Sequence, residues 1–99
     1  MSKTYWVYIL KCVDDSFYTG STSNIEKRIS EHKNRVFSGY TSKRLPVKLV
    51  YSQFFDNPQS VITAERQIKK WTRAKKIALI NGDFNMLKIL SKKKWKEHK

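Results

Sequence analysis

Acidic residues are scarce in this sequence and cysteine is almost absent. Eight aspartates and glutamates stand against 21 lysines and arginines, so the 99 residues carry a formal charge of +13 at pH 7. That imbalance makes a polyanionic partner the first inference, although a basic surface kept for solubility, or one touching anionic lipid or ribosomal RNA, would have the same composition. Cys12 is the single cysteine, so no internal disulfide can form and a reducing, cytoplasmic compartment is the expectation. Together with His32 and His98 it falls short of the four soft ligands of a structural zinc site, and zinc is not expected. The longest apolar run, Trp6 to Leu10, is far below the ~20 residues of a membrane span. No charged leader precedes a cleavable hydrophobic segment, so no membrane partner is expected. What remains, 39% apolar and 13% aromatic, suits one small domain with a modest core.

Patterning divides the chain into short elements. Tyr5 to Cys12 is aromatic and β-branched and runs into Asp14-Asp15-Ser16, so it reads as a strand entering a turn, with Phe17 to Thr22 as its hairpin partner. Ser23 stands three residues before Glu26, a capping-box spacing, and Ile25, Ile29 and Val36 recur at helical intervals, which predicts a helix over about Asn24 to Lys33. Asn34 to Pro46 reads as a basic, partly irregular connection, and Val47 to Phe55 as a third strand. Asn57-Pro58 supplies a cap and a first helical residue for a long helix reaching about Ile80, where Asn81-Gly82 provides a left-handed stop. Asp83 can cap a last helix carrying Phe84, Leu87 and Leu90, and the Lys-rich stretch beyond Ser91 is expected to be a solvated tail. The expectation is an α+β fold, a small three-stranded antiparallel sheet flanked by helices. Residues 1–82 would form the functional domain, with 83–99 as a C-terminal helix and basic tail packed on or extending it.

Three groups of residues invite a chemical reading. Val61, Ala64, Ile68, Trp71 and Ala78 share a helical stripe, and Glu65 lies inside it. An acid there needs a metal ion, hydrogen bonds or a neighbouring lysine or arginine to offset its burial. Arg28 and His32 are one helical turn apart and can face one object, such as a phosphate; equally, they can be an exposed arginine beside a histidine packed under the sheet. Tyr18 and Gly20 share a strand face, and whether Tyr8 joins them depends on the turn: a two-residue loop separates the tyrosines, whereas a three-residue loop or a bulge unites them. Tyrosines in strands commonly serve packing, while Gly20 can mark a close approach of backbone to a ligand.

Trp6-Val7-Tyr8, then Tyr18-Thr19-Gly20, Arg28, His32 and a distant Glu65 form an ordered set that resembles the GIY-YIG endonuclease domain, in particular its small stand-alone bacterial members, over roughly Tyr5 to Gly82. The resemblance implies a three-stranded antiparallel sheet with helices and a single Mg²⁺ or Mn²⁺ ion held by Glu65, water and phosphate oxygens. By the same similarity Tyr18 would help deprotonate the attacking water with Tyr8 in support. Arg28 would stabilise phosphate charge, and His32 would assist proton transfer or bind phosphate. Gly20, Ser21, Arg28, Lys43 and Arg44 are the candidate substrate-binding residues. Trp6 stands where the family has its first glycine, Thr19 replaces the second isoleucine, and Ser21 occupies a position where some members carry a lysine.

The function implied is metal-dependent hydrolysis of phosphodiester bonds in nucleic acid, DNA before RNA, at distorted or branched sites rather than a defined sequence. The alternatives are a non-catalytic nucleic-acid-binding module that keeps the fold, and an interaction domain that meets a protein partner through the helix around Phe84 to Trp95.

Overall fold

A computed structural model describes residues 4–34 and 39–97, the side chains of 92–97 excepted. Strand β1 (Tyr5–Lys11) is central, flanked by β2 (Phe17–Thr22) and β3 (Lys48–Phe55), and both pairings are antiparallel, which gives the three-stranded sheet expected from the sequence. Four helices accompany it: α1 (Ile25–Lys33), α2 (Pro58–Lys69), α3 (Arg73–Ile80) and α4 (Phe84–Glu97). None of the described helices is long and apolar enough to cross a membrane.

The hairpin turn answers the question of the two tyrosines. Cys12 N–H donates to the Ser16 carbonyl (2.9 Å), leaving Val13, Asp14 and Asp15 as a three-residue loop, with Asp15 in the left-handed region at φ 67°. The register then sets Tyr8 opposite Gly20 and Leu10 opposite Tyr18, so both tyrosines and Gly20 share one face. Tyr8, Leu10, Cys12 and Val47 form the core on that side, with Ile25 and Ile29 of α1 packed against it. Val7, Ile9 and Thr19 project to the other face and are also buried. Ser21, likewise on that face, bonds to Glu65 of α2, which places α2 against it.

Capping differs from expectation in two places. Asn24, rather than Ser23, caps α1: its side chain accepts from Lys27 N–H at 3.1 Å. The long helix expected from Pro58 to Ile80 is two helices, because Thr72 adopts an extended conformation and its hydroxyl accepts from Lys75 N–H (3.3 Å), starting α3 afresh. The stripe drawn from Val61 to Ala78 is therefore interrupted, with Trp71 and Thr72 in the break. Asn57 and Asp83 cap α2 and α4 as anticipated, with Ser60 N–H and Met86 N–H as their donors, and Gly82 takes the left-handed stop at φ 69°. Helix α4 continues to Glu97, so the backbone beyond Ser91 is helical where a tail was expected. Val36, His98 and the side chains of Lys92, Lys93, Lys94 and Trp95 lie outside the described residues.

Two compact units emerge, Met1–Lys69 and Lys70–Lys99. The first contains the sheet, α1 and α2. In the second, α3 packs with α4, and the buried Lys75 ammonium lies 5.3 Å from the Trp71 ring centroid.

Candidate active site

Tyr8 is fully buried in the central strand, and its ring lies across Gly20 of the edge strand. A Cβ at position 20 would sit 2.5 Å from the Tyr8 hydroxyl and 2.7 Å from Cζ, so glycine is required there by a side chain of the protein itself. Tyr18, half-buried, has its ring centroid 6.3 Å from that of Tyr8 and 5.1 Å from the His32 imidazole. His32 comes from the last turn of α1, where the helical register points it beneath both tyrosines, and its Nε2 lies 3.0 Å from the Tyr8 hydroxyl. Arg28, one turn earlier, pairs with Glu31 (3.5 Å) and also hydrogen-bonds the Tyr8 phenol.

Glu65 approaches from α2. Its Oε1 accepts from the Ser21 hydroxyl at 2.9 Å and its Oε2 pairs with the exposed Lys69 ammonium at 3.2 Å. The carboxylate thus has both partners weighed from the sequence, a hydrogen-bond donor and a cation, and both carboxylate oxygens face polar hydrogen atoms. Its charge still reaches the Tyr8 phenol across the edge of the sheet.

Electrostatics follow from this burial. The Tyr8 phenol is pushed up from 10.0 to about 12, chiefly by desolvation, with Tyr18 and Glu65 adding to the rise and Arg28 opposing it. Burial, helped by the Arg28 charge and opposed by Glu31, lowers the His32 imidazole below 6.5. Both groups are therefore held neutral near physiological pH.

Of the remaining candidates, Lys43 is exposed, whereas Arg44 is turned inward on its own loop. Its guanidinium bonds Asp14 (3.0 Å) and the Tyr40 carbonyl (2.8 Å) and lies 3.9 Å over the Tyr40 ring, which itself stacks near Tyr18 at 6.1 Å. In this arrangement Arg44 fastens residues 40–44 to the hairpin turn. His32 follows the packed alternative: it is 3% exposed, and its second nitrogen, Nδ1, lies 2.8 Å from Thr41 Oγ1, so both ring nitrogens face protein groups. Thr41, Tyr40 and Asp14 were not foreseen from the sequence, because their contacts bridge segments that local pattern does not connect.

The donor set around Glu65 is sparse. Among the described residues no three histidine, cysteine or acidic side chains gather as a metal site. Glu65 is a single hard carboxylate beside a displaceable ammonium, which fits an ion that keeps most of its waters.

Comparison with known proteins identifies relatives of this chain. A UPF0213 protein of Clostridium perfringens is 53% identical over 77 residues, covering 78% of this chain and 83% of its own. Another, from Syntrophus aciditrophicus, is 51% identical over 81 residues, covering 81% and 92%. The solution structure of a UPF0213 protein from Bacillus halodurans superposes with a TM-score of 0.54 at 35% identity, over 79% of this chain and 83% of that one. A protein from E. faecalis gives 0.58 at 32%, over 85% and 92%. The GIY-YIG catalytic domain matches residues 4–78, which include both tyrosines, the arginine, the histidine and the glutamate, and the chain therefore belongs to the GIY-YIG family.

Proposed function

We propose that this protein is a divalent-metal-dependent nuclease that hydrolyses phosphodiester bonds, in DNA before RNA, at distorted or branched sites. One set of contacts carries the reading: His32 bonds the Tyr8 hydroxyl beneath the Tyr18 ring, one helical turn from Arg28, and Glu65 bonds Ser21, the residue after the Gly20 that Tyr8 covers. Membership of a nuclease family and the charge of +13 support a polyanionic substrate.

Glu65 would hold one Mg²⁺ or Mn²⁺, exchanging Lys69 for the ion, and the bound ion would supply positive charge to the oxygens of the scissile phosphate. Tyr18, nearer to solvent than Tyr8, is the group to take a proton from water, acting as its phenolate once its own proton has passed to solvent. Tyr8 and His32 hold its ring in place from beneath. Arg28, anchored by Glu31 and Tyr8, would turn its guanidinium charge to the phosphate as negative charge builds there. Ser21, standing where some relatives have a lysine, orients the carboxylate. Lys43 adds charge at the rim. The single cysteine is in keeping with action in the cytoplasm.

The deciding experiment offers single-stranded, flapped and branched DNA, with matched RNA, to the protein with Mg²⁺ or Mn²⁺. We expect cleavage that is abolished by chelation and reduced by about a hundredfold or more in Glu65→Gln, with binding retained. No metal-dependent cutting of any substrate by the wild type would remove the nuclease reading. The competing view, a non-catalytic nucleic-acid-binding module, draws on the same glutamate being fully partnered by Ser21 and Lys69. That view predicts binding without turnover in both proteins.

A further inference from the structure

Neither the composition nor the family pattern gives Thr41 a role, yet it is 3% exposed and bonded to the imidazole at the centre of the site. A neutral imidazole has one proton for two nitrogens, so its two partners decide which nitrogen holds it. One partner is the Tyr8 hydroxyl, 3.0 Å from Nε2. That phenol oxygen also receives a hydrogen bond from Arg28, and a guanidinium can only donate. With that oxygen already accepting, the arrangement that uses the phenol proton directs it at Nε2 as the acceptor. Nδ1 keeps the ring proton, and Thr41 Oγ1, 2.8 Å away, is placed to accept it.

We propose that Thr41 is a positioning residue for His32: by accepting the Nδ1 proton, its hydroxyl fixes the imidazole in the tautomer whose Nε2 accepts from Tyr8. The groups facing the ring are consistent with a neutral, singly oriented imidazole: Tyr8 from β1, Tyr18 from β2, Arg28 and Glu31 from its own helix, and Thr41 from the loop. Position 41 is itself held from two sides. The Thr41 carbonyl accepts from Arg44 N–H (3.0 Å), the Arg44 carbonyl accepts from Val13 N–H (3.0 Å), and the Arg44 guanidinium reaches Asp14. One hairpin thus carries both tyrosines on its strands and, through its turn, locates the threonine that orients the histidine between them.

The consequence for catalysis rests on the nuclease reading; the tautomer does not. The test uses ¹⁵N-labelled full-length protein near neutral pH, with the long-range proton–nitrogen correlations of the histidine rings as readout and His98→Gln to identify the His32 signals. We expect the Nδ1–H form in the wild type and in Thr41→Ser, which keeps the hydroxyl. Thr41→Val, equal in shape without an acceptor, should shift the ring to the Nε2–H form or a mixture. An Nε2–H wild type, or an unaltered ring in Thr41→Val, overturns the assignment. On a substrate that the wild type cuts, Thr41→Val should lower kcat about tenfold with KM unchanged, as loss of an orienting partner does elsewhere, and Thr41→Ser should restore it. An unchanged kcat in the valine variant would overturn the catalytic half. A wild type that cuts nothing defeats the nuclease proposal, and the ring spectrum still decides the role of Thr41.

Discussion

Position 20 has no room for a side chain, since the Tyr8 hydroxyl and ring occupy the space a Cβ would take and Tyr18 Cε2 closes it at 3.1 Å. Gly20→Ala should lower stability by about 1–3 kcal/mol, the usual penalty for forcing volume into a packed site, measured by denaturant unfolding. In a Tyr8→Phe background that penalty should shrink without vanishing, because Cζ stays at 2.7 Å. Strict additivity of the two substitutions would show that the added Cβ does not meet the Tyr8 hydroxyl. Protonation supplies a second check. Tyr8 has a folded value raised above its ordinary 10.0 to about 12, so its contribution to stability is complete below pH 10 and is lost as pH climbs towards 12. His32 is shifted the opposite way, downward from 6.5. Its contribution is complete above 6.5 and drains away as pH falls further, because the unfolded chain takes up the proton first. Thermal melts across the acid range should therefore slope less steeply for His32→Gln than for the wild type, and parallel slopes would refute the shift. At this scale the five family residues were legible because their order and spacing are local features of sequence. The partners Thr41 and Asp14 were not, since they gain meaning only when the connection folds back on the turn.

Among the elements, the strands and the caps at Asn57 and Asp83 could be read because each has a local chemical cause: alternation along a strand, or a side-chain oxygen ahead of free backbone donors. The break after Lys69 was hidden for an equally physical reason. Apolar residues keep a helical period through Ala78, and Thr72 resembles any other polar residue on an outer face until its backbone is seen to be extended. Thr72→Ala should cost about 1 kcal/mol by stranding the first donors of α3, and Thr72→Ser should recover most of it, as read from the thermal midpoint. Equal midpoints for wild type and alanine would mean that the cap contributes nothing to α3. The hairpin shows how much one loop residue decides. With Val13, Asp14 and Asp15 as the loop the tyrosines share a face; a two-residue loop would shift the register by one and set Tyr18 on the face opposite Tyr8.

For the molecule as a whole, charge is unevenly shared. Ten of the 21 basic residues but only two of the eight acids lie in residues 70–99, so the smaller unit carries most of the excess. Backbone-directed binding of this sort releases counterions. Affinity for duplexes of unrelated sequence should be alike and should fall by about a hundredfold or more between roughly 50 and 200 mM salt, measured by fluorescence anisotropy. A salt-insensitive affinity would exclude phosphate contacts as its source.

Strand order sets a timetable for biosynthesis. The central strand finds β2 within a few residues, but its other neighbour pairs Tyr5 with Phe55 and Lys11 with Lys48, and the carboxylate waits for position 65. A chain still emerging from the ribosome can close its hairpin and hold both tyrosines while one border of β1 is bare and the acid is missing. Whatever chemistry the five side chains perform is withheld until position 65 has been made, when β3 and α2 complete what the hairpin began.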